Sequence, residues 1–232
     1  MLEWRDDKTP VSTRFDDPYY SIDDGRAETE YVFIDENNLK TRWREMKTCT
    51  IAELGFGTGL NFLETVRHWQ KIKPPGAALH FISFEQFPIS KDELAKALSH
   101  WSELTALTPI LTNLWQPEGE LRELNFAPDI TLSVHIGDAN KLLPAMKFLA
   151  DAWYLDGFSP AKNPELWNEP LMQEVGKHTV AGGTFATYTA AGFVKRALQS
   201  AGFNVEKIAG FGRKREMLVG QMTSDMDVAE GH

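Results

Sequence analysis

With 232 residues, 33 acidic against 24 basic side chains and a formal charge of −9, the chain is long enough to bury one sizeable α/β core and too acidic for broad, nonspecific adhesion to nucleic acid. Its single cysteine, Cys49, excludes an internal disulfide, and no apolar run approaches the roughly 20 residues that cross a bilayer. Nothing near the start resembles a charged segment leading into an apolar signal core, so the expected compartment is the cytoplasm, without membrane contact.

Met1 to Arg14 is polar, charged and aperiodic, and reads as a loose arm or an edge extension. Tyr19-Tyr20-Ser21-Ile22 and Glu30-Tyr31-Val32-Phe33-Ile34, separated by the polar turn Asp23-Asp24-Gly25, read as two short strands. With a turn at Asn37-Asn38 and Leu39 to Met46 leading inward, residues 1–46 are expected to form an arm and a small β extension. From Cys49 onward strand and helix patterns alternate, which predicts a mostly parallel sheet with helices on both faces. The strands are Thr50 to Leu54, Ala78 to Phe84, Ala152 to Leu155, Gly183 to Tyr188, Phe203 to Ile208 and Glu216 to Met222. A hairpin of Glu120 to Phe126 with Ile130 to Ile136 adds to them. Helices are predicted at Thr58 to Lys71, from Ser90, over Trp101 to Trp115 with a break at Pro109, and at Asp138 to Leu149, Leu166 to Lys177 and Ala191 to Ala201. The fold class is Rossmann-like α/β: about seven strands, mostly parallel, the last pair a hairpin and hence an antiparallel last strand, with the N-terminal β extension and the inserted hairpin as decorations. The main domain is 47–222, and 223–232 is a flexible tail or a truncated linker. Trp69, Trp101, Trp115, Trp153 and Trp167 read as packing residues.

The strand-to-helix turn Glu53-Leu54-Gly55-Phe56-Gly57-Thr58-Gly59-Leu60-Asn61 carries the most chemistry. Alternate glycines allow close backbone approach to a ligand. A dinucleotide fingerprint needs Gly or Ala three places after its second glycine, and Leu60 stands there instead. Acid-x-Gly-x-Gly-x-Gly is the pattern of class I methyltransferases, so the expected cofactor is S-adenosylmethionine, leaving as S-adenosylhomocysteine. Gly55, Phe56, Gly57, Thr58, Gly59 and Asn61 are its candidate cradle; neither a metal nor a flavin is expected in this chain.

Four acids close successive strands, where open α/β sheets bind their ligands. Glu53 lies under the turn, near the methionine ammonium. Glu85 is suited to accept from both ribose hydroxyls. Asp138, after Gly137, is placed for the adenine amino group, with the Ala139 backbone N–H facing the ring. Asp156 closes the strand where the methyl group leaves, and opens the rigid loop Asp156-Gly157-Phe158-Ser159-Pro160-Ala161-Lys162-Asn163-Pro164. In that loop Phe158 is expected to stack on a planar acceptor and Lys162 to project beside it. Methyl transfer asks the protein to align donor and acceptor and exclude water. An amine acceptor must also be neutral, and Asp156 can take its proton or orient its nitrogen.

The glycine turn, Leu155 to Trp167, Gly210-Phe211-Gly212-Arg213-Lys214-Arg215-Glu216-Met217 and Phe15-Asp16-Asp17-Pro18-Tyr19-Tyr20-Ser21 together resemble the methyltransferase domain of the MnmC family, over about Phe15 to Gly220. The resemblance implies methylation of the aminomethyl group on the wobble uridine of tRNA, giving 5-methylaminomethyl(-2-thio)uridine. It also implies a flavin-dependent oxidoreductase, fused or separate, that prepares the amine. The chain is then a stand-alone enzyme or the amino-terminal part of a longer one. Arg213, Lys214 and Arg215, with Lys162, become the expected contacts to the anticodon loop. Two alternatives stay open: a methyltransferase of a small-molecule amine, and a cofactor-binding module without catalysis.

Overall fold

The computed structural model describes residues 2–6, 9–21, 24–118 and 121–223. Three short strands come first: β1 (Leu2–Arg5), β2 (Thr9–Ser12) and β3 (Asp17–Pro18), which pair as an antiparallel sheet. The expected loose arm is therefore, in its described part, a folded ribbon. Val11 and Thr9 are buried, and the Trp4 ring receives the Lys96 ammonium at 4.2 Å. Next come α1 (Gly25–Thr29) and a π-helical turn, Glu30–Asp35. This turn occupies the place of the second expected strand. Its Tyr-Val-Phe-Ile run has strand composition, but Val32, Phe33 and Ile34 are all buried, and a short apolar run fits a buried helix equally well. Asp24 fixes the helical start by accepting from the Ala27 amide. Ile22 and Asp23, parts of the other expected strand and its turn, lie outside the described residues.

After α2 (Leu39–Arg42) the main sheet begins. In chain order its elements are β4 (Thr48–Leu54), α3 (Leu60–Ile72), β5 (Ala78–Glu85), α4 (Lys91–Leu98), α5 (Thr108–Leu114), β6 (Leu121–Ala127), β7 (Ile130–Ile136), α6 (Ala139–Leu142), β8 (Ala150–Leu155), α7 (Glu169–Lys177), β9 (Thr179–Thr187), α8 (Gly192–Ser200), β10 (Phe203–Ala209) and β11 (Glu216–Met222). Pro109 opens α5 instead of breaking a longer helix, because its missing N–H is harmless in a first turn. Ser90 and Glu93 form a capping box on α4, and Asn168 caps α7.

The strand order is β10-β11-β9-β8-β4-β5-β7-β6. The strands from β9 through β7 pair in parallel; β11 and β6 are antiparallel to their neighbours. The expected hairpin is present, but its second strand, β7, is a core parallel strand, and only β6 is an addition. The sheet thus has eight strands. From β4 the chain moves first to β5 and β7, then returns to β8 on the other side. That reversal leaves a crevice at the carboxyl ends of β4 and β8, where ligands bind in such sheets.

Each face of the sheet carries an apolar layer. One joins α3, α4, α5 and the π-helical turn through Val32, Phe62, Trp69 and Phe81; the other joins α7 and α8 through Trp167, Met172, Val175 and Leu198. Trp69, Trp115, Trp153 and Trp167 are fully buried, each worth roughly 1.5–3 kcal/mol or more by area.

A buried ion cluster ties α1 and the π-helical turn to α3. Glu64 receives Arg26, Arg67 and His68, and Lys40 and His68 reach Glu30. Glu30, Glu64 and His68 are close enough together to suggest a metal site. Their ligand atoms already face arginine and lysine, so the cluster is an ion-pair network. Burial disfavours the Glu64 carboxylate, yet the Arg67 and His68 hydrogen bonds and the Arg67 and Arg26 charges outweigh it and hold the pKa at about 2.

A carboxylate with a depressed folded pKa stabilises fully above its unfolded value of about 4.3 and loses that contribution as pH falls toward 2. Glu64→Gln is therefore expected to cost about 3 kcal/mol in urea unfolding at pH 7. The difference from the parent should narrow steadily between pH 5 and pH 2.5; a gap independent of pH would remove the ionic explanation.

Candidate active site

The crevice between β4 and β8 opens into a cavity of about 460 Å³, within the range of small-molecule sites. The glycine turn forms its floor. Gly55 has φ +92°, and a Cβ there would stand 2.8 Å from the Asp156 carbonyl oxygen, so the two strand ends approach as only glycine permits. Gly57 (φ +54°) lies under the Tyr19 ring, 3.2 Å from where a Cβ would be. Phe56 and Thr58 also line the cavity, but the Phe56 ring is stacked on Trp115 and so turns into the core. Gly59 stands outside the wall, supplying the left-handed residue from which α3 starts.

Asn61, in the first turn of α3, is the hub. Its Nδ2 donates to Glu53 Oε1 at 2.9 Å and to Asp156 Oδ2 at 2.7 Å, while its Oδ1 accepts from Thr29 Oγ1 at 2.6 Å. Glu53 is fully buried, also accepts from Ser83, and does not reach the cavity wall. Burial pushes its carboxyl up to about 8, against the Ser83 and Asn61 hydrogen bonds; the Asp156 and Glu85 charges push the same way. Its place is behind the wall, where it holds Asn61.

Glu85 does line the cavity. Its Oε2 accepts from the Gly57 amide at 2.9 Å and its Oε1 from the Phe87 amide at 2.7 Å. Each oxygen keeps a second lone pair, the equipment needed to accept from a vicinal diol. A smaller cavity of about 50 Å³ adjoins it, bounded by Gly137, Ala139, Phe87 and Phe158. Asp138 belongs to neither wall. Its Oδ1 caps α6 by accepting from the Asn140 amide and side chain.

Asp156 faces the main cavity beside Asn61. Its Oδ1 accepts from the Gly157 amide, and burial, opposed by the Asn61 and Gly157 hydrogen bonds, lifts its pKa to about 6. Phe158 stands between the two cavities. One of its faces is stacked on Phe15 at 4.7 Å and its edge meets Tyr19, so the aromatic partner the structure supplies is internal. Lys162 is outside the wall; its ammonium is bound by the Asp16 carbonyl and lies 3.5 Å from Asp17 Oδ1. Ser159 N–H also donates to Asp17. The expected acceptor loop is thus stapled to the β2–β3 ribbon.

Arg213 and Lys214 line the cavity, and Arg215 is exposed on the same loop outside it. Lys214 binds Glu28 at 2.6 Å and stands over the Tyr188 ring. Glu28, Tyr19, Tyr188 and Phe211 are wall residues that the sequence reading passed over. Tyr188 follows β9 at the ligand-bearing edge, a signal the sequence did contain. Glu28 offered none, since its helix read as part of a turn between strands.

A family described as S-adenosyl-L-methionine-dependent methyltransferase is matched over residues 103–223, which include Asp156 and the basic loop. The chain is 43% identical over 233 residues to the tRNA 5-methylaminomethyl-2-thiouridine biosynthesis bifunctional protein MnmC of Chromohalobacter salexigens, covering 97% of this chain and 33% of that protein. It is 45% identical over 226 residues to the MnmC of Methylobacillus flagellatus, covering 96% and 35%. The chain therefore spans about a third of the length of these curated relatives. The crystal structure of MNMC2 from Aquifex aeolicus superposes with a TM-score of 0.77 at 26% identity, covering 93% of this chain and 67% of that one.

Glu53 generates a pH signature. Its folded pKa lies above its unfolded one, so the native state holds the proton more tightly and stability falls as pH rises from about 4.3 toward about 8. Glu53→Gln is expected to remove much of the loss of melting temperature between pH 6 and pH 8.5. Parallel curves for parent and variant would count against the buried neutral carboxyl. Gly55→Ala is expected to abolish cofactor binding in calorimetry, because the strained φ and the Asp156 carbonyl both oppose a Cβ.

Proposed function

The chain belongs to the S-adenosyl-L-methionine-dependent methyltransferase family, on the branch it shares with MnmC, and from that premise we propose that it methylates the aminomethyl group of the wobble uridine in tRNA. The observation that carries this reading is the placement of Asp156 in one cavity with the glycine turn on one side and the basic loop on the other. The likeness to relatives named for 5-methylaminomethyl-2-thiouridine biosynthesis supports the substrate.

The residues present fit the cofactor. Gly55 and Gly57 offer a backbone cradle that a Cβ would crowd, with Thr58 beside them on the cavity wall, Glu85 takes the ribose hydroxyls with its spare lone pairs, and Gly137 and Ala139 frame the adenine side. Asn61 and Asp156 lie at the methionine end. When bound, S-adenosylmethionine supplies an electrophilic methyl group on a sulfonium.

Asp156 does the proton chemistry. A primary alkylamine has a reference pKa of about 10.4 and arrives as an ammonium. Asp156 accepts that proton on the carboxylate that Asn61 and the Gly157 amide hold in place. Tyr19, Tyr188 and Phe158 exclude water and hold the neutral nitrogen in line to take the methyl group that the cofactor would supply. Arg213 and Arg215 neutralise RNA phosphates near the cavity mouth, which positions the RNA without reading its sequence. Lys162 acts through Asp16 and Asp17 to keep the acceptor loop closed. A flavin-dependent oxidoreductase, fused or separate, supplies the amine.

The direct test is labelled-methyl transfer to tRNA from cells lacking this activity, with nucleoside analysis; label on aminomethyluridine is expected, and label on no RNA would end the proposal. Asp156→Asn is expected to lower turnover by about 10²–10⁴-fold with cofactor affinity within a few-fold of the parent. Turnover by the parent should rise with pH through a limb at or below about 6, as the carboxylate forms. The variant should lack that limb.

A further inference from the structure

Lys214 reaches into the cavity and fills a cation site. Its ammonium is bonded to the Glu28 carboxylate at 2.6 Å and stands 4.0 Å from the centroid of the Tyr188 ring. Glu28 is largely enclosed, with its side chain 13% exposed, whereas Lys214 is 42% exposed. A carboxylate facing an aromatic surface is the chemistry that recognises an alkylammonium. Here the group recognised belongs to the protein itself.

The three residues differ in how they are held. Glu28 lies in α1, which the Asp24 cap and the Thr29–Asn61 hydrogen bond fix to the hub. Tyr188 is anchored by its hydroxyl, which donates to the Gly157 carbonyl at 2.6 Å. Lys214 comes from the turn joining β10 to β11, an exposed loop closed by Lys214 N–H on the Phe211 carbonyl and containing Gly212 at φ +58°. The carboxylate and the ring are framework, and the cation is mounted on a loop. Asp156 lies in the same cavity and feels both charges, Glu28 raising and Lys214 lowering its pKa beneath the larger effects of burial and hydrogen bonding.

We propose that Glu28 and the face of Tyr188 form the subsite that selects the methyl acceptor as an alkylammonium, and that Lys214 is the resident cation the acceptor displaces. The proposal deepens the amine-methylation reading above and rests on it. An acceptor bound there lies in the same cavity as Asp156, the group that takes its proton. A hydroxyl acceptor of the same shape carries no charge and cannot replace the lysine.

The test uses an anticodon stem-loop bearing 5-aminomethyluridine, and the free 5-aminomethyluridine nucleoside, as acceptors. Glu28→Gln is expected to raise KM for both at least tenfold while S-adenosylmethionine binding, measured by calorimetry, stays within twofold of the parent, which also reports that the variant is folded. Lys214→Gln is expected to lower KM for the free nucleoside several-fold, because the internal competitor is gone, without a matching gain for the stem-loop. A Glu28→Gln effect on cofactor affinity would assign Glu28 to the cofactor and overturn the proposal. So would a raised nucleoside KM in Lys214→Gln. To separate this from failure of the RNA reading, benzylammonium and benzyl alcohol are titrated against parent and Lys214→Gln protein by NMR, with no RNA present. Benzylammonium binding that strengthens in Lys214→Gln, with none for the alcohol, supports the cation subsite whatever the natural acceptor; equal or absent binding of the two probes overturns it.

Discussion

One side-chain amide holds the site together. Asn61 gives one N–H to Glu53 and the other to Asp156, and takes the Thr29 hydroxyl on its oxygen. Glu53 and Asp156 close adjacent parallel strands, β4 and β8, so the topology that creates the crevice also forces two carboxyl groups together in a poorly solvated place. Desolvation and mutual repulsion would drive them apart or discharge them. A neutral donor with two N–H groups between them keeps both within hydrogen-bond reach, and both pKa values still rise. Because the same amide binds α1, the position of the helix carrying Glu28 is set by that hub.

Around that hub the backbone and the side chains have separate duties. The Gly57 and Phe87 amides each donate to one oxygen of Glu85, and the Gly157 amide after β8 donates to Asp156, which leaves each carboxylate lone pairs to offer a ligand. Side chains from outside the main sheet close the cavity. Phe15 lies on Phe158, Asp17 accepts from the Ser159 amide, and Lys162 grips Asp16. The N-terminal ribbon is thus part of the wall. Its removal would uncover the small cavity beside Gly137 and leave the 157–163 loop without its polar anchors.

The sheet was legible in the sequence because strand and helix periods alternate cleanly from Cys49 and β4, β5, β7 and β8 each run into an acid or a glycine. Glu85, Asp156, Gly55 and Gly57 line the cavity at the strand ends where the pattern placed them, since a strand's carboxyl end is a local feature, whereas Gly59 starts α3 outside the wall. Residues whose role depends on distant packing were harder to read. Glu53 carries the same strand-end signature as Glu85, but its neighbours Ser83 and Asn61 turn it inward. Lys162 looks like a free cation until the ribbon's Asp16 and Asp17 come alongside. The Glu30 to Ile34 run has strand composition, yet it is a π-helical turn whose Val32, Phe33 and Ile34 are all buried. Glu28 and Tyr188 meet across 160 residues through a lysine from a third segment, a juxtaposition no spacing rule encodes.

The basic loop raises an electrostatic problem that the proposed cation subsite would answer. A chain of net charge −9 repels a polyanion at long range, and at physiological salt that repulsion is screened beyond about 8 Å. On the proposed function, docking of RNA therefore depends on the few cations at the cavity mouth. In the free protein one of them, Lys214, is neutralised by Glu28 inside the cavity. In the proposed subsite, an incoming ammonium that takes Glu28 returns the lysine's charge to the loop that carries Arg213 and Arg215. The pull on the phosphates then increases only after an amine has entered. An RNA lacking the amine meets a weaker mouth, so recognition of the acceptor group and affinity for its carrier become one event.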